Sequence, residues 1–216
     1  MAGRMKVTFE VADVDAEERL IREYIAPAFE RLCEREDVRW PSFNRYGHDP
    51  SIEAGRVVLL AFGDVEAVVD DERARWTRLV EDGLVVEWRI GEDGPGPEAL
   101  DDQERLRFRM RSVASRMSLE FFDTFEEFPD GVGGIEDGEV SFGWDFCLHH
   151  LNNQLGYQAD EGEEEIDLLF QSLTGRLRAL GVAHGVEAAD EKIEGLTGEL
   201  GTLSAELYRQ RGDHGR

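Results

Sequence analysis

The sequence predicts an α+β fold, a βαββαβ first half followed by a helical second half. Three observations carry this expectation. Hydrophobic residues alternate in the first strand-like segment. Apolar positions recur at helical spacing in two segments that each follow a strand-like run. Beyond the Gly/Pro-rich stretch Gly91–Pro97 only helical spacing remains.

Met5, Val7, Phe9 and Val11 alternate with polar neighbours and predict a half-buried strand. Asp15-Ala16-Glu17-Glu18 reads as a capping box. It opens a helix whose apolar stripe is Leu20, Ile21, Tyr24, Ile25, Ala28, Phe29 and Leu32, with Pro27 as a candidate kink. Val38 to Tyr46 is a second strand; Pro41 suits it to a sheet edge or a bulge. After a His48-Asp49-Pro50 turn, Arg56 to Phe62 is almost continuously apolar, as a central strand would be. Val65, Val68, Val69, Trp76, Leu79 and Val80 mark the second helix, and Leu84 to Ile90 the last strand. This order is that of a ferredoxin-like split βαβ arrangement over residues 1–90.

Residues 91–183 form the helical half that completes the domain. Leu106, Met110, Val113, Met117, Phe121 and Phe125 keep helical spacing over about five turns. Phe142 to Leu155 and Ile166 to Leu180 read as further helices, separated from the first by a glycine- and acid-rich loop, Pro129 to Gly138. In residues 184–216, Ile193, Leu196, Leu200, Leu203 and Leu207 alternate spacings of three and four, a heptad-like stripe interrupted by Gly195, Gly198 and Gly201. Two uses fit it: packing on its own domain, or a homodimer through this helix.

Composition restricts the function classes. Forty-eight acidic residues face 24 basic ones, a formal charge of −24, and only Lys6 and Lys192 are lysines. An acidic, lysine-poor surface is expected of a cytoplasmic protein working at molar salt, where a Debye length of about 3 Å screens self-repulsion. Such a balance disfavours a nucleic-acid backbone as partner. Arg105, Arg107, Arg109, Arg111 and Arg116 form the one basic cluster, read either as a solvated helix flank or as an anion site. Cys33 and Cys147 are too few for a metal knuckle and are expected to be buried free thiols. No apolar run is long enough to span a membrane, and no metal or cofactor motif is present.

The candidate site centres on His149-His150-Leu151-Asn152-Asn153-Gln154, which holds two imidazoles and three amides in a chain one-third charged. On a helix, His149 shares a flank with Asp145 and Asn152 and precedes Asn153 by one turn, while His150 lies over Gln154 and Tyr157. A carboxylate beside His149 would favour imidazolium and prepare a general acid/base. Two surface histidines with capping amides would fit the same residues. The second unusual segment, Phe43-Asn44-Arg45-Tyr46-Gly47-His48-Asp49-Pro50, places the guanidinium fork of Arg45 at a strand end, where it could take a carboxylate or a phosphate. His48-Asp49-Pro50 could equally be a turn and nothing more.

On these two segments the chain resembles the C-terminal elimination domain of lantibiotic dehydratases, also found as a stand-alone protein of thiopeptide biosynthesis. Phe43-Asn44-Arg45-Tyr46 matches that family's Phe-x-Arg-Tyr-like strand end, and Val57 to Phe62 runs into Gly63 as the next strand does. His149, Asn153 and Gln154-Leu155-Gly156 follow its His, Asn, Arg-Leu and Gly pattern, with Gln154 in place of the arginine. The resemblance covers residues 5–183; the family's middle Tyr-x-x-Glu-x-x-Arg-Tyr-Gly-Gly block is absent, and Gly91 to Glu98 stands there. It implies recognition of a modified ribosomal peptide and elimination of glutamate from a glutamylated Ser or Thr, without metal or cofactor. Arg45 would bind or orient the leaving carboxylate, His149 would move a proton, and Asn153 would support the helix or the substrate; beside Asn153, His150 and Gln154 are further candidate substrate-binding residues of the same stretch. The competing expectation is a non-catalytic interaction or scaffold protein that keeps the fold, with a peptide or partner protein bound.

Overall fold

The computed structural model describes residues 2–46, 55–91 and 94–124, and 194–195, 198–199, 201–203, 205–206 and 209 of the C-terminal stretch. The chain divides into two compact units, Met1–Asp101 and Asp102–Arg216.

The first unit is an α+β structure around a four-stranded antiparallel sheet of order β2-β3-β1-β4. Its strands are β1 (Ala2–Val11), β2 (Val38–Tyr46), β3 (Gly55–Asp64) and β4 (Glu87–Ile90). Helices α1 (Val14–Leu20) and α2 (Ala26–Glu34) follow β1, and α3 (Val65–Glu81) follows β3. Met5, Val7, Phe9 and Val11 are all buried, as their alternation requires. Register places Val57, Leu59 and Ala61 of β3 beside them on the same face. The aromatic contacts of Phe9 show what covers this face: its ring meets Tyr24 at 5.4 Å and Trp76 of α3 at 6.3 Å, both edge-on. β3 is buried on both faces, from Val57 through Phe62, which explains its unbroken apolar run.

Between α1 and α2 the helix widens into a π-helical segment, Ile21–Ile25, in which the Ala26 N–H donates to the Ile21 carbonyl five residues back. The wide turn immediately precedes Pro27, whose missing N–H cannot continue the ordinary ladder. It keeps Leu20, Ile21, Tyr24, Ile25, Ala28, Phe29 and Leu32 all buried despite the proline.

Three local expectations are corrected. The helix begins two residues before the expected capping box: extended Asp13 is the N-cap, and its Oδ1 accepts the Ala16 N–H at 2.8 Å. Leu84 and Val85 are buried but not in the last strand; both N–H groups donate to the Leu79 carbonyl, at 2.9 and 3.1 Å, closing α3 after Gly83 at φ +70°. Cys33 is exposed rather than buried, because the residue after Leu32 is turned about 100° off the apolar stripe. Cys147 lies outside the described residues.

β2 is an edge strand with a one-residue bulge between Arg39 and Ser42, where Trp40 adopts φ +52° and Pro41 follows. Gly63 ends β3 at φ +134°, and a Cβ there would stand 1.9 Å from the Asp37 carbonyl oxygen. That close approach lets the same carbonyl accept the Asp64 N–H at 3.1 Å. Asp64 in turn caps α3.

In the second unit α4 (Asp102–Thr124) is longer than expected and buries Leu106, Met110, Val113, Ala114, Ser115 and Ser118. Arg109 pairs with Glu206 at 3.0 Å and Arg116 with Glu199 at 3.4 Å. Both partners step by seven residues in opposite directions, so this helical stretch runs antiparallel to α4. Leu203, between the two glutamates, is buried, while Gly195, Gly198 and Gly201 are exposed. The described turns of the C-terminal stripe thus pack within the chain. Two arginines of the basic cluster are engaged there, and Arg105 pairs with Asp102. Among the described residues no helix is long and apolar enough to cross a membrane.

Candidate functional site

Arg45 is the one sequence-predicted site residue within the described part. Its orientation follows from the bulge in β2. Arg39 pairs with Phe62 and Ser42 with Leu60, so the extra residue between them reverses which β2 side chains face the helices. Arg45, opposite Val57, therefore points to the helix-covered face, as Phe43 does opposite Leu59. There it meets Glu17 of α1: Nε donates to Oε1, and Nη2 donates to Oε2 at 3.3 Å. Arg45 is 4% exposed and Glu17 1%. A buried guanidinium is tolerable only when its charge is matched, and a two-pronged carboxylate contact provides that.

Asn44 and Tyr46 flank Arg45 and face the other way, with Asn44 Nδ2 donating to Tyr46 Oη at 3.3 Å. His48, His149, His150, Asn153 and Gln154 lie outside the described residues.

A second polar group lies beneath the same helices. Glu72 of α3 is buried and accepts from Tyr24 Oη at 3.1 Å, from Arg31 Nε and Nη2 at 3.1 and 3.0 Å, and from Arg75 Nη1 at 2.9 Å. Trp76, wholly buried, donates its Nε1–H to the Tyr24 hydroxyl. Burial, and next the neighbouring Glu72 charge, push the Tyr24 phenol well above its ordinary range. Trp88 of β4 meets Trp76 with ring centroids 5.1 Å apart and planes tilted by 56°, and the Arg73 guanidinium lies 5.8 Å from the Trp88 ring.

Neither Glu17 nor Glu72 was an expected site residue, yet each carries a readable signal. Glu17 stands at helical spacing before Leu20, Ile21 and Tyr24, and Glu72 between Val68, Val69 and Trp76. An acid inside an apolar stripe must be paired when the stripe is buried.

A cleft of about 230 Å³ opens elsewhere in the first unit, lined by Glu36, Asp37, Asp64 and Glu98 with Arg39 as its basic member. The Asp37 carboxyl is held below its ordinary range by the Arg35 guanidinium, to which it is paired at 2.8 Å. Four carboxylates around one arginine are a poor seat for an anionic leaving group. Among the described residues no group of three His, Cys, Asp or Glu is placed to hold a metal ion.

No family model matches the chain, and no curated protein or solved structure matches it.

Proposed function

We propose that this chain is a non-catalytic binding or scaffold protein on a ferredoxin-like βαββαβ framework, taking a peptide or partner protein and eliminating nothing from it. The strand order, the antiparallel pairing and the helices after β1 and β3 support the framework. The acidic, lysine-poor composition supports a cytoplasmic setting at molar salt.

One observation carries the preference over glutamate elimination: the Arg45–Glu17 pair. A leaving glutamate that took the two donors Arg45 now gives to Glu17 would have to displace that carboxylate from a guanidinium that is 4% exposed. Stranding a buried carboxylate in this way costs about 3–5 kcal/mol. That penalty would be added to the barrier of a reaction in which Arg45 should lower it, a loss of roughly two to four powers of ten in rate.

The deciding experiment incubates the full chain with a glutamylated Ser/Thr peptide at molar salt and follows released glutamate. No release above the protein-free control is expected. Release that disappears in both His149→Ala and Arg45→Gln would overturn the proposal and establish the elimination chemistry.

A further inference from the structure

The aromatic residues of the first unit form a directed series from the surface to a buried carboxylate. Trp88 is half-buried on edge strand β4 and its ring lies 5.1 Å from that of Trp76, which is wholly buried, with the two planes tilted by 56°. The Trp76 Nε1–H is hydrogen-bonded to the Tyr24 hydroxyl, and that hydroxyl donates to Glu72 Oε2 at 3.1 Å. Packing alone does not call for this arrangement. A phenylalanine and a leucine would fill the space of Tyr24 and Glu72 without burying a carboxylate.

We propose that this series is a one-electron relay: an oxidising equivalent taken up at Trp88 passes through Trp76 and comes to rest on Tyr24, with Glu72 receiving the phenolic proton. Its external reactant is a small diffusible one-electron oxidant. That oxidant removes an electron from Trp88 and leaves an indole radical cation. Trp76 donates an electron to Trp88, and Tyr24 donates one to Trp76 as its hydroxyl proton moves to Glu72. Both indoles are restored, Tyr24 becomes a neutral phenoxyl radical, Glu72 is protonated, and the electron resides on the oxidant.

The charges set the direction. Arg73, 5.8 Å from the Trp88 ring, disfavours a positive charge at the entry point. Glu72 favours one near Tyr24 and removes it by accepting the proton. Arg31 and Arg75, hydrogen-bonded to Glu72, hold its carboxylate in place beside the Tyr24 hydroxyl. Every hop is a contact or a hydrogen bond, so no through-space gap interrupts the path.

Pulse radiolysis of the full chain at molar salt, with azidyl radical as the oxidant, tests the relay. In wild type the tryptophanyl absorption should decay as a tyrosyl absorption rises, at a rate independent of protein concentration and slowed in heavy water. Tyr24→Phe should lose this tyrosyl phase and retain the tryptophanyl radical. Glu72→Gln should slow the phase about tenfold and lose the solvent isotope effect, which a purely structural role for Glu72 would not alter. Trp88→Phe, a change at the half-exposed edge that leaves the buried network intact, should reduce the amplitude of the phase. A tyrosyl rise undiminished in Tyr24→Phe or in Trp88→Phe would overturn the proposal. So would a rise in wild type that scales with protein concentration.

Discussion

Tyr24 and Glu72, 48 residues apart in sequence, share a hydrogen bond of 3.1 Å between the π-helical segment and α3. The bond ties the two helical segments together over Phe9, where Glu72 also accepts from Arg31 and Arg75 and the Tyr24 hydroxyl accepts from Trp76. Alkaline pH should expose its contribution. The native phenol is raised above its ordinary value of about 10, so its stabilising effect is complete below pH 10 and is lost as pH rises further. Tyr24 should fail to give a phenolate signal on alkaline titration until the chain unfolds. Tyr24→Phe should remove that late component and cost about 1–3 kcal/mol at neutral pH, read from urea melts, because Trp76 and Glu72 each lose a partner. A full complement of phenolates appearing in the folded chain would refute the burial argument.

The buried pair of Arg45 and Glu17 should respond asymmetrically to substitution. Arg45→Met strands the Glu17 carboxylate and should cost about 3–5 kcal/mol. Joining Glu17→Leu to it removes both charges, and the double variant should recover most of that loss. A double-mutant cycle on equilibrium unfolding measures the coupling. Additive losses would show that the pair does not act as a unit.

Gly201 should be improvable. It is exposed on a helical stretch, and a Cβ there would meet nothing within 4 Å. Gly201→Ala should therefore stabilise the second unit by about 0.5–1 kcal/mol through helix propensity. Gly198→Ala shares the same surroundings and should behave alike. Gly63→Ala, with its carbonyl clash and positive φ, should be strongly destabilising. Thermal melts of the three variants provide the comparison.

Salt should act in the direction opposite to its usual weakening of ion pairs. With a formal charge of −24 the chain repels itself, and screening that repulsion should outweigh the loss at exposed pairs such as Arg19–Glu23. Circular dichroism should report loosening in dilute buffer and recovery in molar potassium chloride. Identical melts in both would remove the case for a high-salt setting.

The elements were legible in the sequence wherever one physical rule acted alone. The alternation of Met5, Val7, Phe9 and Val11, the apolar run of β3 and the helical spacing of Val68, Val69 and Trp76 each reflect burial against a sheet or helix. What escaped was set by long-range partners. Glu17 and Glu72 satisfy groups 28 and 48 residues away, and local spacing does not name a partner at that distance. The orientation of Arg45 depends on one extra residue at Trp40–Pro41, which Pro41 hinted at without specifying which face β2 would turn inward. His149, the other half of the expected site, lies outside the described residues.

The seven-residue match of Arg109 with Glu206 and of Arg116 with Glu199 also governs which packing errors are open to the second unit. A leucine stripe on its own tolerates sliding by a whole heptad, since each side chain lands in a similar hole. Here a slide by one heptad in either sense keeps, among the described residues, a single arginine–glutamate match, Arg109 with Glu199 or Arg116 with Glu206. The native register engages both arginines with both glutamates, so the charges select an alignment that the apolar stripe alone would leave open.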